Sequence, residues 1–261
     1  MMTTTINMTF GSVVLGLLLF VIPIYTLYLL QVDVWRKALK AVGRMVVALG
    51  AAALLTQAAL WLSNIAFTLL CAIIMVAVTA AAMVARSRIR HPRFVVPVAL
   101  GLLLTAVPLG LYFVFLVLGV GTPLDARYFL PTMGLVAGAV SDANTKALGG
   151  YYVGLRHHAR LYFYLIGNGA TRAEAIGYFT RRSLKRAVMP GLTRMGILAI
   201  GTAPVTMWVM VFCGLPVATA LLAQLLLVGL TVAVSVLSLI LTLVLARRYA
   251  FDQYDNIQID A

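Results

Sequence analysis

From Leu215 to Ala246 the chain runs without one charged side chain, and it does the same from Met45 to Ala85 and from Phe94 to Leu124. A soluble domain hides its apolar residues on one face of each element and interrupts them with polar ones. Uninterrupted runs of this length leave no polar face for water. The composition agrees: 63% of the 261 residues are hydrophobic, 10% are charged, and the mean hydropathy is +1.03. Lipid is therefore the solvent for most of the chain. In lipid every backbone N–H and C=O must be satisfied within the spanning element, which leaves helices or closed barrels. The runs lack period-2 alternation, so the predicted fold class is an all-α polytopic membrane protein.

A span takes about 20 apolar residues. Seven are predicted, at about 8–30, 45–62, 65–85, 94–120, 129–150, 191–213 and 216–246. The stretch MMTTTINMTF carries no Lys or Arg, so the first span is expected to be a retained helix rather than a cleaved leader. The net charge is +13, and its placement sets the orientation. Arg36, Lys37, Lys40 and Arg44 follow the first span. Arg86, Arg88, Arg90 and Arg93 follow the third, a block from Arg156 to Arg186 follows the fifth, and Arg247 and Arg248 follow the seventh. The opposite loops hold only Arg127. Positive residues mark the cytoplasmic side, which places the N-terminus outside and the C-terminus in the cytoplasm, in the inner or plasma membrane of a cell. The same charges attract anionic membrane lipids. They are spread over four loops without a recognisable module, so nucleic acid is not expected as a partner. A single membrane domain, 1–261, is expected, with residues 30–45 as an interfacial helix or elbow. Cys71 and Cys213 fall inside predicted spans and are expected to be small core residues.

The longest polar interruption runs from Gly154 to Pro190, well beyond the roughly 2–8 residues of an ordinary helix–helix connection. Gly167-Asn168-Gly169 breaks one helix inside it. Thr171 then stands three residues before Glu174, the only glutamate of the chain, in the S/T-x-x-E arrangement of a capping box. A capped cytoplasmic helix follows, and Pro190 and Gly191 are expected to mark its return to the membrane. Gly169, Ala170, Ala173 and Ala175 give this helix a small-residue surface suited to docking in another protein's groove. The alternative is a helix lying on the membrane surface between two spans.

Gly169-Ala170-Thr171-Arg172-Ala173-Glu174-Ala175, with Pro190 downstream, resembles the cytoplasmic coupling loop of ABC transporter permeases. Ala41-Val42-Gly43-Arg44-Met45 and the run Leu130-Pro131-Thr132-Met133-Gly134-Leu135-Val136-Ala137-Gly138 are similar to segments of one group, the small iron-export permeases of the FetB (YbbM) type. Gln224 falls where that group has a glutamine in its last span. The chain departs from the group at Ala139, where an Asn is usual, at Ala203-Pro204-Val205-Thr206-Met207, and at Leu215-Pro216. The resemblance implies a permease subunit of an ABC transporter that works as an exporter and a homodimer. Its cargo would be a metal ion such as iron or a small polar solute. It implies a cytoplasmic ABC ATPase partner that binds ATP and Mg. Gly169, Ala170, Thr171, Ala173, Glu174 and Ala175 would couple to that partner. The chain has no G-x-x-x-x-G-K-[S/T] phosphate loop, so no cofactor and no catalytic residue is expected on the chain itself.

Ionisable groups inside spans mark functional sites. Asp142 and Lys146, four residues apart, share a helix face, with Ser141 and Asn144 beside them. They read either as a lined path or as a neutral pair with Lys146 reaching to the interface; Arg194, one turn inside the sixth span, is expected to reach to the interface in the same way. Ser141, Asp142, Asn144, Lys146, Met133 and Gln224 are the candidate pathway residues. Gly134 and Gly138 form a G-x-x-x-G packing motif in the fifth span. His91, His157 and His158 lie in basic loops and no metal site is expected. A stand-alone carrier or channel, and a non-transporting scaffold, are the competing functions.

Overall fold

Helix α1, Trp35–Leu62, opens the part of the chain that the computed structural model describes. The described residues are 35–87, 92–122, 124–197 and 205–250, with a few positions between 21 and 29. The predicted first span and the acidic tail lie outside them. α1 is continuous from Trp35, so the expected separate elbow at 30–45 is, from Trp35 on, the first part of the second span's own helix. Nothing between Arg36 and Leu62 breaks helix periodicity, and Gly43 and Gly50 are tolerated within it.

α2 spans Ile65–Arg86 and follows after two residues, with Asn64 Oδ1 accepting from Ala66 N at 2.9 Å as its N-cap. α3 spans Val95–Tyr112, begins on a single 3₁₀ turn at Pro92–Phe94, and runs into a wider π turn at Phe113–Val117. Pro108 inside α3 supplies no N–H to the carbonyl four residues before it. α4 is Ala126–His157, capped by Asp125, whose Oδ1 accepts from Arg127 N at 2.9 Å. α5 is Ala159–Gly167, α6 is Arg172–Ile197, α7 is Val205–Phe212 and α8 is Val217–Ala250.

Four helical stretches among the described residues are long and apolar enough to cross a membrane: Leu39–Leu62, Ile65–Arg86, Val95–Val117 and Val217–Ala246. They coincide with the second, third, fourth and seventh predicted spans. α4 is long enough, at 32 residues, but more polar. α6 runs helical through Pro190 and Gly191 to Ile197. The chain is an all-helical, polytopic membrane protein.

Contacts divide the chain into two compact units, Met1–Ala58 and Ala59–Ala261, where the sequence reads as one domain. The first contains most of α1, largely exposed along its length. In the second, α3 lies along α8, and α4 packs against α2, α6 and α8. The core is made of Phe129, Leu130, Met133, Leu148, Tyr152, Leu155, Phe179 and Leu239, with small residues such as Ala72, Ala80, Ala106 and Ala147 between them. Exposed Leu, Val and Ile cover the outside of α2, α3 and α8, as expected where lipid tails are as apolar as the side chains they meet. Gly101 sets the closest approach of α3 to α8: a Cβ there would strike Thr242 Oγ1 and come within 2.9 Å of its backbone nitrogen.

Candidate functional site

The α5–α6 elbow is built from local bonds alone. Gly169 takes φ +85°, a conformation that costs an L side chain about 1–2 kcal/mol. This lets Gly169 N donate to Ile166 O and Ala170 N donate to Leu165 O, each at 3.0 Å, a Schellman closure of α5. Two residues later Thr171 opens α6. Its backbone N donates to Glu174 Oε2 at 2.8 Å, and its hydroxyl lies 2.8 Å from the same oxygen. Glu174 N reaches Thr171 Oγ1 at 3.4 Å, so the capping box closes in both directions. The backbone bond first, then the hydroxyl, holds the Glu174 carboxyl below the usual carboxylate range.

Gly169, Thr171 and Glu174 are exposed and Ala170 is half-buried. The side chain of Ala173 is outside the described set. Ala175 corrects the expectation of an exposed small-residue surface, because it is fully buried. The reason is helical phase: Ala175, Ile176, Phe179 and Ser183 follow one face, and that face turns inward with relative exposures of 2% or less. Phe179 lies against Gly154, where a Cβ would stand 3.8 Å from the ring. Ser183 Oγ donates to Ala147 O at 2.8 Å, a buried bond from α6 to α4. The elbow is thus exposed at its tip and anchored on α4 by its inner face.

The polar cluster in α4 separates into two sets. Asn144 points inward and is buried. Its Nδ2 donates to Ser238 Oγ at 2.7 Å, and its Oδ1 accepts from Ser235 Oγ at 2.8 Å, so one amide clamps α4 to α8. Ser238 in turn donates to Ser235 O at 3.2 Å. Asp142 points outward, and its ion pair is with Arg86 of α2 at 3.7 Å, in place of the expected partner Lys146. Lys146 is exposed. Ser141 is half-buried and donates to Gly138 O of its own helix at 3.0 Å. Met133 is fully buried, with its sulfur 3.1 Å from where a Cβ at Gly110 would be. Gln224 is half-buried, and its Oε1 is shielded from solvent with no hydrogen-bond partner among the described residues. Of the packing glycines, Gly134 receives Met75 of α2, while Gly138 faces open space. Cys71 is buried as expected; Cys213 is exposed, at the turn where Gly214 (φ +88°) closes α7. Arg194 and His91 fall outside the described side chains.

Sequence reasoning missed Ser235, Ser238 and Thr242, although their spacing of three and four residues puts a polar stripe on one face of an otherwise apolar span. It also missed Ser183, Arg86 as the partner of Asp142, and Gly101, for which no local signal exists.

A bundle of apolar helices, one of them bearing a buried amide clamp, joined to a capped elbow on the polar side, narrows the family of the chain. The pattern of the uncharacterised protein family UPF0014 matches residues 10–251. The chain belongs to UPF0014. UPF0014 is a family of ABC transporter permeases. No curated protein matches the chain, and no solved structure does.

Proposed function

We propose that this UPF0014 chain is the membrane-spanning subunit of an ABC exporter, driven by a separate cytoplasmic ATPase that carries ATP and Mg. The observation that carries the reading is the α5–α6 elbow. Gly169, Thr171 and Glu174 are exposed at its tip, and its inner face is bonded to α4 through Ser183. A push on the tip is delivered to a bundle helix, as a coupling element requires. Gly169, Ala170, Thr171, Ala173 and Glu174 form the surface offered to the ATPase, and Ala175 holds the elbow in place. The chain itself performs no catalysis. It works as a homodimer in the inner or plasma membrane, with its C-terminus in the cytoplasm and anionic lipid around its basic loops. The cargo is a metal ion of the iron type or a small polar solute. It passes near Met133 and Asn144 of α4 and Gln224 of α8, with Ser141, Asp142 and Lys146 beside Asn144 on α4.

The test is co-purification from native membranes of the full chain and of Gly169→Pro. A stoichiometric ATPase that is present with the first and lost with the second supports the reading. A chain that purifies alone in both forms overturns it in favour of a carrier or scaffold.

A further inference from the structure

The contacts that hold α4 to its neighbours differ in kind, and the difference assigns a place for motion. Towards α6 and α8, α4 is held by buried hydrogen bonds: Ser183 Oγ to Ala147 O, and Asn144 to Ser235 and Ser238. Separating either pair breaks hydrogen bonds that side chains make across helices, where no water stands by to replace them. α3 joins the same assembly through the close approach at Gly101. Towards α2 the contact is of another sort. Both hydroxyls of α2 turn back on their own helix: Thr68 Oγ1 donates to Asn64 O and Thr79 Oγ1 to Met75 O. The face that α2 buries is otherwise small and apolar, with Ala72, Val76, Ala80, Met83 and Val84, and Met75 sits over Gly134. Such a face is held by van der Waals packing, and its parting leaves no buried polar group without a partner. The polar bridge from α2 to α4 is the Arg86–Asp142 pair, at the cytoplasmic end of α2, with 67% and 62% of the two side chains exposed. An exposed pair is weakly held, because water screens it, and it yields readily.

We propose that α3, α4, α6 and α8 move as one body pinned by Ser183 and Asn144, and that the joint which opens during transport is the α2–α4 seam, latched on its cytoplasmic side by Arg86 and Asp142. This rests on the transport reading for its purpose but not for its test. Ser183, Asn144, Ser235 and Ser238 are positioning residues in this scheme. They carry displacement of the elbow into α4 and α8 without slack. Asp142 then has a role other than lining a path, since its carboxylate releases or recaptures α2.

The experiment measures spin-label distances in the full chain in lipid nanodiscs, with Cys71→Ala and Cys213→Ser as background. One pair, Ala85→Cys with Lys146→Cys, reports the α2–α4 joint. Two others, Lys146→Cys with Ile240→Cys and Lys146→Cys with Lys185→Cys, report α4–α8 and α4–α6. Each is measured with the native latch, with Asp142→Asn, and with the exchange Arg86→Asp plus Asp142→Arg. The expected result is a second α2–α4 population, displaced by about 2 Å or more, in Asp142→Asn. It disappears in the exchanged pair, which also shows that the chain has folded, while the other two distances stay constant. An α2–α4 distance that stays single in Asp142→Asn, or α4–α8 and α4–α6 distances that move with it, would overturn the proposal. Neither an ATPase nor a cargo is needed. A fixed joint therefore removes this inference while leaving the co-purification result untouched, and an opening joint survives even if no ATPase is found.

Discussion

Asn144 satisfies two hydroxyls of another helix with one side chain, and its removal has a calculable effect. In Asn144→Ala the hydroxyls of Ser235 and Ser238 each lose their interhelical partner, and the expected destabilisation is about 1–3 kcal/mol. Thermal unfolding of the detergent-solubilised chain measures it. The triple change Asn144→Leu, Ser235→Ala, Ser238→Ala removes all the polar groups together, and its midpoint is expected to lie closer to that of the native chain than the single variant's does. Gly101→Ala belongs to the same scale. Its methyl group meets Thr242 Oγ1 and backbone, and backbone cannot swing aside, so a loss of about 1–3 kcal/mol is expected in the same assay. By contrast, a methyl group at Gly150 meets the far end of the Arg186 side chain, which is flexible, and little change is expected. The polar type of Asn144 stood out in the sequence; the serines more than ninety positions away stand in a polar stripe, but spacing within one helix does not say which other helix it meets.

At the scale of elements, the elbow between α5 and α6 was the most legible part of the chain. Glycine, threonine and glutamate at 169, 171 and 174 each have a local backbone reason to be there, and local reasons are what a sequence shows. Which face of α6 turned inward depended on α4 and was not legible, which is why Ala175 was placed on the wrong side. Gly169→Ala is expected to destabilise the end of α5 by about 1 kcal/mol, since the left-handed backbone is retained only under strain. Hydrogen exchange at Gly169 and Ala170 measures this. The capping box also responds to pH. The carboxyl of Glu174 is held below its ordinary range in the folded chain, so its contribution is fully present above that range and is lost as pH falls through the depressed value. Exchange protection of the first turn of α6 should therefore differ between the native chain and Glu174→Gln at neutral pH. The difference should shrink on acidification below the usual carboxylate range.

The whole molecule is organised by charge as much as by packing. In the sequence the cations collect in alternate segments between the predicted spans, and Arg127 falls in one of the others. With the cytoplasm on the side of the cationic segments, Arg182→Cys should react with a membrane-impermeant thiol reagent only from the cytoplasmic side, and Arg127→Cys only from the opposite side. Identical labelling of both from one side would overturn the orientation. The apolar runs made the helical membrane class and four of the long helices plain from the sequence. α4 was harder to read, because Asn144 is matched by serines of α8 and Asp142 by Arg86 of α2 rather than by neighbours in the sequence.

That matching has a consequence in time. Ser238 is 94 positions after Asn144. At a synthesis rate of about 5–20 residues per second, the serine leaves the ribosome roughly 5–20 seconds after the asparagine. Throughout that interval α4 exists without the hydroxyls that satisfy its amide, and lipid offers no substitute. The clamp between α4 and α8 can therefore close only once the last of these helices has been made, so the bundle is completed late in synthesis.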